Sequence, residues 1–303
     1  MTDIKNTTSQ VQGTQQKKTT DSKQATERMP DLYIIHGWTY TVEPWKNTLV
    51  MLMKAGFNIK MLHVPGLTEP SKKEYTIEDY VKWADHEIPK GAIALGHSNG
   101  GRILLNLCSQ KPEKLKYLIL LDAAGVYEPS ARKRFVQRMA KIGKPLKKLP
   151  LIDKAFHKIT GSTDYSRAPE NMKTTLANML ESDKNLDFSK VTTKTFILWG
   201  KKDTTTPPRQ ATAMYEKLPN AELKFYAKWT HAPYISNPDE LARAIATLLT
   251  RIKNAEKKGT ELSMKASAEK KGAEPVTKAS AEKKAALFGG GDYIKSRQGG
   301  AGK

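Results

Sequence analysis

The chain has 303 residues, a hydrophobic fraction of 38% and 51 Lys+Arg against 31 Asp+Glu, for a formal net charge of +20. No stretch approaches the ~20 apolar residues of a membrane-crossing helix, and residues 1–29 hold no apolar run of signal-peptide length, so the expected location is the cytoplasm. The single cysteine, Cys108, excludes an intrachain disulfide and suits a reducing compartment.

Residues 1–29 are rich in Thr, Gln, Lys and Ser and poor in large apolar side chains. Such a segment buries too little surface to offset its ordering entropy and is expected to be disordered. Apolar residues then concentrate from Asp31 to Ile252, enough for one α/β domain with a real core. Leu32–Ile35 reads as a buried strand. Glu43–Ala55 follows as an amphipathic helix that Gly56 stops. Ile59–Val64 reads as a strand, Ile77–Ile88 as a helix, Ala92–Leu95 as a strand and Arg102–Ser109 as the helix behind it. Cys108 lies in the apolar run of that last helix and is expected to be packing. Leu118–Leu121, Thr195–Leu198 and Glu222–Tyr226 are further strands, and Pro238–Ile252 closes as an amphipathic helix. Short, nearly continuous apolar strands separated by helices imply a mostly parallel, doubly wound sheet covered on both faces.

One segment breaks the alternation. Tyr127–Ser189 has helical patterns and no convincing strand, and is expected to be a helical cap inserted over the sheet edge. Its first half is basic, with Arg132, Lys133, Arg134, Arg138, Lys141, Lys144, Lys147 and Lys148. From residue 255 to 303 the chain is a low-complexity basic tail. Lys265-Ala266-Ser267-Ala268-Glu269-Lys270-Lys271 recurs as Lys278-Ala279-Ser280-Ala281-Glu282-Lys283-Lys284, and Gly-rich sequence follows. The tail is expected to be flexible, with transient helix in its Ala/Glu/Lys segments. The organisation is thus a tail over 1–29, a domain over 30–254 with a cap near 127–189, and a tail over 255–303.

The chemistry is carried first by Gly96-His97-Ser98-Asn99-Gly100-Gly101, directly after a strand and before a helix. Gly-x-Ser-x-Gly alone is a weak signal; its context strengthens it. A serine on a tight strand-to-helix turn needs small neighbours at ±2, and it is raised to the carboxyl ends of the strands, where open α/β sheets bind ligands. A serine hydroxyl also needs a base. His231, in the loop after the last strand, emerges at the same edge and is the expected general base. His97 adjoins Ser98 but is expected to point sideways. His63, His86 and His157 fall in a strand, a helix and the cap, and read as packing or surface residues.

The base needs an acid to fix its tautomer. Asp203, after the strand Thr195–Leu198, is favoured; Asp122, after Leu118–Leu121, is a rival at the same edge. The order Ser98, Asp203, His231 is one in which such triads run on an α/β sheet. Two N–H donors must face the developing oxyanion. The backbone N–H of Asn99 is one, and that of Trp38, in the loop after the first strand, is chosen as the other. Trp38 as a rim aromatic alone remains the alternative.

With these pieces in place the chain resembles the α/β-hydrolase superfamily, in its small bacterial branch with a helical cap. The matching segments are His36-Gly37-Trp38, Val64-Pro65-Gly66 with Tyr75-Thr76, Gly96 to Gly101, Leu121-Asp122-Ala123-Ala124-Gly125, Trp199-Gly200 with Asp203, and His231-Ala232-Pro233, in family order across about 31–252. Relatives often carry Asp where this chain has His63, and Gly where it has Thr230. The resemblance implies catalysis without metal or organic cofactor and a cap that selects substrate.

The function expected is hydrolysis of a carboxylic ester or thioester through an acyl-serine, slowing as His231 protonates near the reference value of ~6.5. Peptidase, carbon–carbon hydrolase, acyltransferase and perhydrolase chemistry use the same triad, and fold alone does not separate them. The expected partner is a small ester or thioester, with an anionic or carrier-linked substrate as a variant that the basic cap would receive. A non-catalytic protein holding nucleic acid or an anionic surface through cap and tail is the other class. It predicts a strongly salt-dependent affinity.

Overall fold

The computed structural model describes residues 29–127 and 168–272. The chain divides into two compact units between Lys253 and Asn254. In the first unit the strands are β1 (Asp31–Ile35), β2 (Asn58–Leu62), β3 (Ala92–His97), β4 (Leu115–Leu121), β5 (Lys194–Gly200) and β6 (Ala221–Tyr226). The helices are α1 (Lys46–Lys54), α2 (Ile77–Glu87), α3 (Asn99–Gln110), α4 (Glu170–Ser182), α5 (Pro208–Lys217), α6 (Pro233–Ser236) and α7 (Pro238–Gly272). A 3-10 turn, Glu43–Trp45, leads into α1, so the first expected helix is split at its start.

The strands form one six-stranded sheet in the order β2-β1-β3-β4-β5-β6, and every pairing is parallel. Successive side chains of a strand face opposite sides, and both sides here are covered. Leu118 and Leu120 of β4, with Ile197 and Trp199 of β5, join a core completed by Tyr80 and Val81 of α2 and Ile103, Leu104 and Leu107 of α3. Ile119 and Leu121, with Phe196 and Leu198, join the opposite core under Trp45, Leu52 and the α7 residues Leu241, Ile245 and Leu249. This two-sided burial is why the central strands, β4 and β5 above all, read as nearly unbroken apolar runs. Helix α2 starts at a reciprocal cap. The Thr76 hydroxyl accepts from the Asp79 N–H at 3.2 Å, and the Thr76 N–H donates to the Asp79 carboxylate at 2.9 Å.

Strand β2 ends at Leu62, which leaves His63 exposed beyond it. Cys108 is fully buried, and burial pushes its thiol up to about 12. Of the expected cap, the described part consists of α4 and a 3-10 turn, Phe188–Lys190. Arg132 to Lys148 and His157 lie outside the described residues, as do residues 1–28 and 273–303.

Helix α7 does not stop at Ile252: it ends at Gly272, in the segment expected to be tail. The residues there are largely Ala, Glu, Lys and Met, which are strong helix formers. Leu262 is 68% exposed on it. Among the described residues, no helix is long and apolar enough to cross a membrane.

Candidate active site

Because the strands are parallel, the loops after β1, β3, β4, β5 and β6 all leave the same edge, and the sequence-selected residues sit on them. Ser98 occupies the turn between β3 and α3 with φ +50° and ψ −117°, in the left-handed half of backbone space that a side chain rarely adopts. Small neighbours allow it. A Cβ on Gly96 would stand 2.6 Å from the Gly100 carbonyl oxygen, and one on Gly100 would stand 2.1 Å from that of Ile35. The carbonyl of Ser98 accepts from the Ala124 N–H at 2.9 Å, tying the turn to the loop after β4.

His231 follows β6. Its Nε2 lies 3.0 Å from the Ser98 Oγ, and its Nδ1 lies 2.8 Å from Oδ2 of Asp203. The imidazole side chain is 23% exposed and the Asp203 side chain fully buried. Asp203 is held by a run of donors just after it in sequence. The N–H groups of Thr205 and Thr206 reach Oδ1 at 2.7 and 3.0 Å, and the Thr206 hydroxyl reaches Oδ2 at 2.6 Å. Burial pushes the Asp203 carboxyl up, but the charge of a protonated His231 and hydrogen bonds from His231, Thr206 and Thr205 outweigh it. The net result is a carboxyl below its ordinary value.

Asp122, the rival, sits in the loop after β4 with φ +43°. Its Oδ1 accepts from the Gly200 N–H at 2.7 Å, so it braces the loop that carries Asp203. Burial first, and then the negative charge of Asp203, push its carboxyl well above the usual range. Asp122 thus supports the Asp203 loop through the Gly200 N–H, whereas it is Asp203 that meets His231 Nδ1.

On the other side of Ser98, the loop after β1 approaches closely. A Cβ on Gly37 would stand 2.9 Å from the Cβ of Ser98. His36 fixes this loop: its Nδ1–H donates to the Gly37 carbonyl at 2.8 Å, and its Nε2 accepts from the Thr68 hydroxyl at 2.8 Å. Burial lowers the His36 pKa to about 4, so the ring is neutral. Trp38, Ser98 and Asn99 share a cleft of about 630 Å³, its open mouth included, with Val126, Leu176 and Leu180 on its apolar walls. Asn99 is the first residue of α3, and the first N–H groups of a helix have no intrahelical acceptor.

Sequence reasoning missed two groups. His97 is buried beside the turn and bonded there. Its Nε2–H donates to the His231 carbonyl at 2.7 Å, and its ring packs edge-on against Trp45 and Tyr234. Burial first, and then the charge of a protonated His231, lower its pKa to about 3. The other group is a buried ion pair: Arg102 Nε and an Nη reach the carboxylate of Asp183 at 2.7 and 2.9 Å. His63, His86 and Thr230 are exposed. Among the described residues, no group of three or more His, Cys, Asp or Glu side chains is placed to hold a metal.

Comparison with known proteins agrees with this architecture. The model of the α/β hydrolase fold family matches residues 30–238, and the chain belongs to that family. Similar curated proteins include a pimeloyl-[acyl-carrier protein] methyl ester esterase of Nitrosomonas europaea, 21% identical over 248 residues, covering 72% of this chain and 95% of that protein. One of the same description from Neisseria meningitidis serogroup C is 26% identical over 238 residues, covering 71% and 93%. Among solved structures, the monoacylglycerol lipase of Paleococcus ferrophilus superposes with a TM-score of 0.56 at 19% identity, covering 73% of this chain and 95% of that one. A thermophilic esterase of Thermogutta terrifontis gives 0.55 at 18%, covering 75% and 91%.

Proposed function

We propose that this protein is a serine esterase in which Ser98 is the nucleophile, His231 the general base and Asp203 the acid that orients it. The observation that carries the reading is the unbroken chain from Ser98 Oγ to His231 Nε2 at 3.0 Å and from His231 Nδ1 to Asp203 at 2.8 Å. With Nδ1–H donated to the carboxylate, the lone pair of Nε2 faces the hydroxyl. Ser98 Oγ attacks the ester carbonyl carbon while Nε2 takes its proton. The carbonyl oxygen becomes an oxyanion facing the N–H groups of Asn99 and Trp38. Collapse of this intermediate breaks the bond to the alcohol, which leaves with the proton from Nε2. Water then attacks the acyl-serine by the same route and releases the carboxylic acid.

A carboxylic ester with a small alcohol is the favoured substrate, in keeping with the methyl ester esterases among the relatives. Their names also favour a carrier-linked acyl group, which the basic residues Arg132, Lys133 and Arg134 would receive; charge reversal there raises KM for such a substrate if so. A reducing, cytoplasmic setting fits a chain whose one cysteine is a buried thiol.

The test is labelling with a fluorophosphonate probe, comparing wild type with Ser98→Ala, followed by an ester and thioester panel. Labelling lost in the variant is expected; equal labelling removes Ser98 as nucleophile.

A further inference from the structure

Several local costs converge on one side of the nucleophile. Asp183 caps the carboxyl end of α4, where the helix dipole disfavours a negative charge. It is held by the two hydrogen bonds from Arg102, and the two side chains are only 2% and 4% exposed. A buried ion pair is seldom retained for stability, because apolar replacements of similar volume usually serve as well. Arg102 spends a further N–H on the side-chain carbonyl of Asn99 at 2.5 Å. That bond fixes which way the Asn99 amide faces. Its Nδ2 is left buried with no hydrogen-bond partner, a cost that an apolar residue here would avoid. These costs meet at the residue whose backbone N–H stands next to Ser98, and local rules are broken most often where function needs it.

We propose that Arg102 and Asp183 are positioning residues of the oxyanion hole. The inference rests on the assignment of Asn99 above. Arg102 lies one helical turn beyond Asn99 on α3, and clamps its side chain, holding the first peptide of α3 in register with the Ser98 hydroxyl. Asp183 anchors the clamp to the end of α4. Leu176 and Leu180 of that same helix line the cleft beside Ser98. The helix that lines the cleft beside Ser98 therefore also anchors the clamp on Asn99.

The experiment compares wild type with Asp183→Asn, Arg102→Lys and the double variant Arg102→Met/Asp183→Leu. It measures kcat and KM on p-nitrophenyl acetate and butyrate, with rates normalised to active sites titrated by fluorophosphonate. Asp183→Asn and the double variant are expected to lose about 10–100-fold in kcat with KM within about twofold, the range for weakening one oxyanion donor. Arg102→Lys keeps the charge but not the fork and is expected to recover part of the loss. The double variant removes both charges but leaves the Asn99 carbonyl without its donor, so its thermal midpoint is expected a few degrees below that of wild type, with the protein still folded. Wild-type kcat in a folded double variant overturns the proposal and leaves the pair as structure alone. If the double variant fails to fold, Asp183→Asn decides: a loss confined to KM, or none, also overturns it. Hydrolysis persisting in Ser98→Ala defeats the esterase reading itself; inactive Ser98→Ala beside fully active pair variants defeats only this inference.

Discussion

Replacing Asp203 by Asn is the sharpest test of the triad. The carboxylate accepts on both oxygens: Oδ1 takes the N–H groups of Thr205 and Thr206, and Oδ2 takes the Thr206 hydroxyl and His231 Nδ1. An Asn side chain has one acceptor oxygen. The two backbone donors cannot turn away, so they claim it, and the NH2 group is left facing the imidazole. A donor opposite Nδ1 stabilises the tautomer with its proton on Nε2. That proton then points at Ser98 Oγ, and the base can no longer accept. The same exchange in serine-protease triads lowers kcat about 10⁴-fold, or about 5.5 kcal/mol of transition-state stabilisation. A loss of that order is expected here, measured as kcat on p-nitrophenyl acetate, with KM little changed. Folding is expected to survive, since the two backbone contacts persist; urea midpoints check this. Activity of Asp203→Asn within tenfold of wild type, with Asp122→Asn the crippled variant, would refute the assignment.

Three other outcomes follow from the geometry. Asp122→Asn is expected to keep turnover within about fivefold and stability within about 1 kcal/mol, because the amide matches the carboxyl in shape and its oxygen can keep the bond from the Gly200 N–H; urea melts and kinetics on the variant test both. Gly100→Ala places a methyl group 2.1 Å from the Ile35 carbonyl oxygen and is expected to cost about 3 kcal/mol or more, read as a lowered urea midpoint. His36 and His97 are buried neutral, with values near 4 and 3, against ~6.5 in the unfolded chain. The unfolded state therefore binds more protons below ~6.5, and stability falls on acidification by up to ~1.4 kcal/mol per pH unit for each ring. Urea midpoints at pH 7.5, 6.0 and 5.0 should show the slope, and His97→Phe should reduce it; a flat profile contradicts the burial argument.

The centre of the sheet was legible because β3, β4 and β5 are buried on both faces, so apolar runs such as Leu118–Leu121 stood out against polar loops. Ser98, Asp203 and His231 were legible because parallel strands deliver every following loop to one edge. Residue type and strand position were then enough to select them. His97 was not legible. Whether a side chain between Gly96 and Ser98 meets solvent or the aromatic pair Trp45 and Tyr234 depends on how α6 packs, and no local pattern encodes that. The pairing of Arg102 with Asp183 spans 81 residues and crosses from α3 to α4. Each partner alone reads as an ordinary charge on a helix surface. Where α7 ends was less legible: low apolar content marks the basic tail, but Ala, Glu and Lys there favour helix by propensity, and α7 extends to Gly272.

His97 also bears on how an imidazole carried on a loop, that of His231, is placed within hydrogen-bond distance of the Ser98 hydroxyl. The imidazole of His231 is partly exposed, and a loop residue ordinarily has the freedom to swing away. Here its ring is tied through Nδ1 to Asp203, and its carbonyl is tied through His97 Nε2 to the residue preceding Ser98. Ser98 and His231 are thus joined by a backbone contact as well as by the hydrogen bond between their side chains, and the contact needs a donor of imidazole reach. His97→Leu keeps an apolar side chain but removes that donor. It should leave Ser98 and Asp203 in place and free His231 to sample unproductive positions, lowering kcat by about tenfold with KM little altered. His97→Asn or His97→Gln should recover part of the loss if the amide reaches the carbonyl. A His97→Leu enzyme with wild-type kcat would mean that Asp203 alone is enough to aim the base.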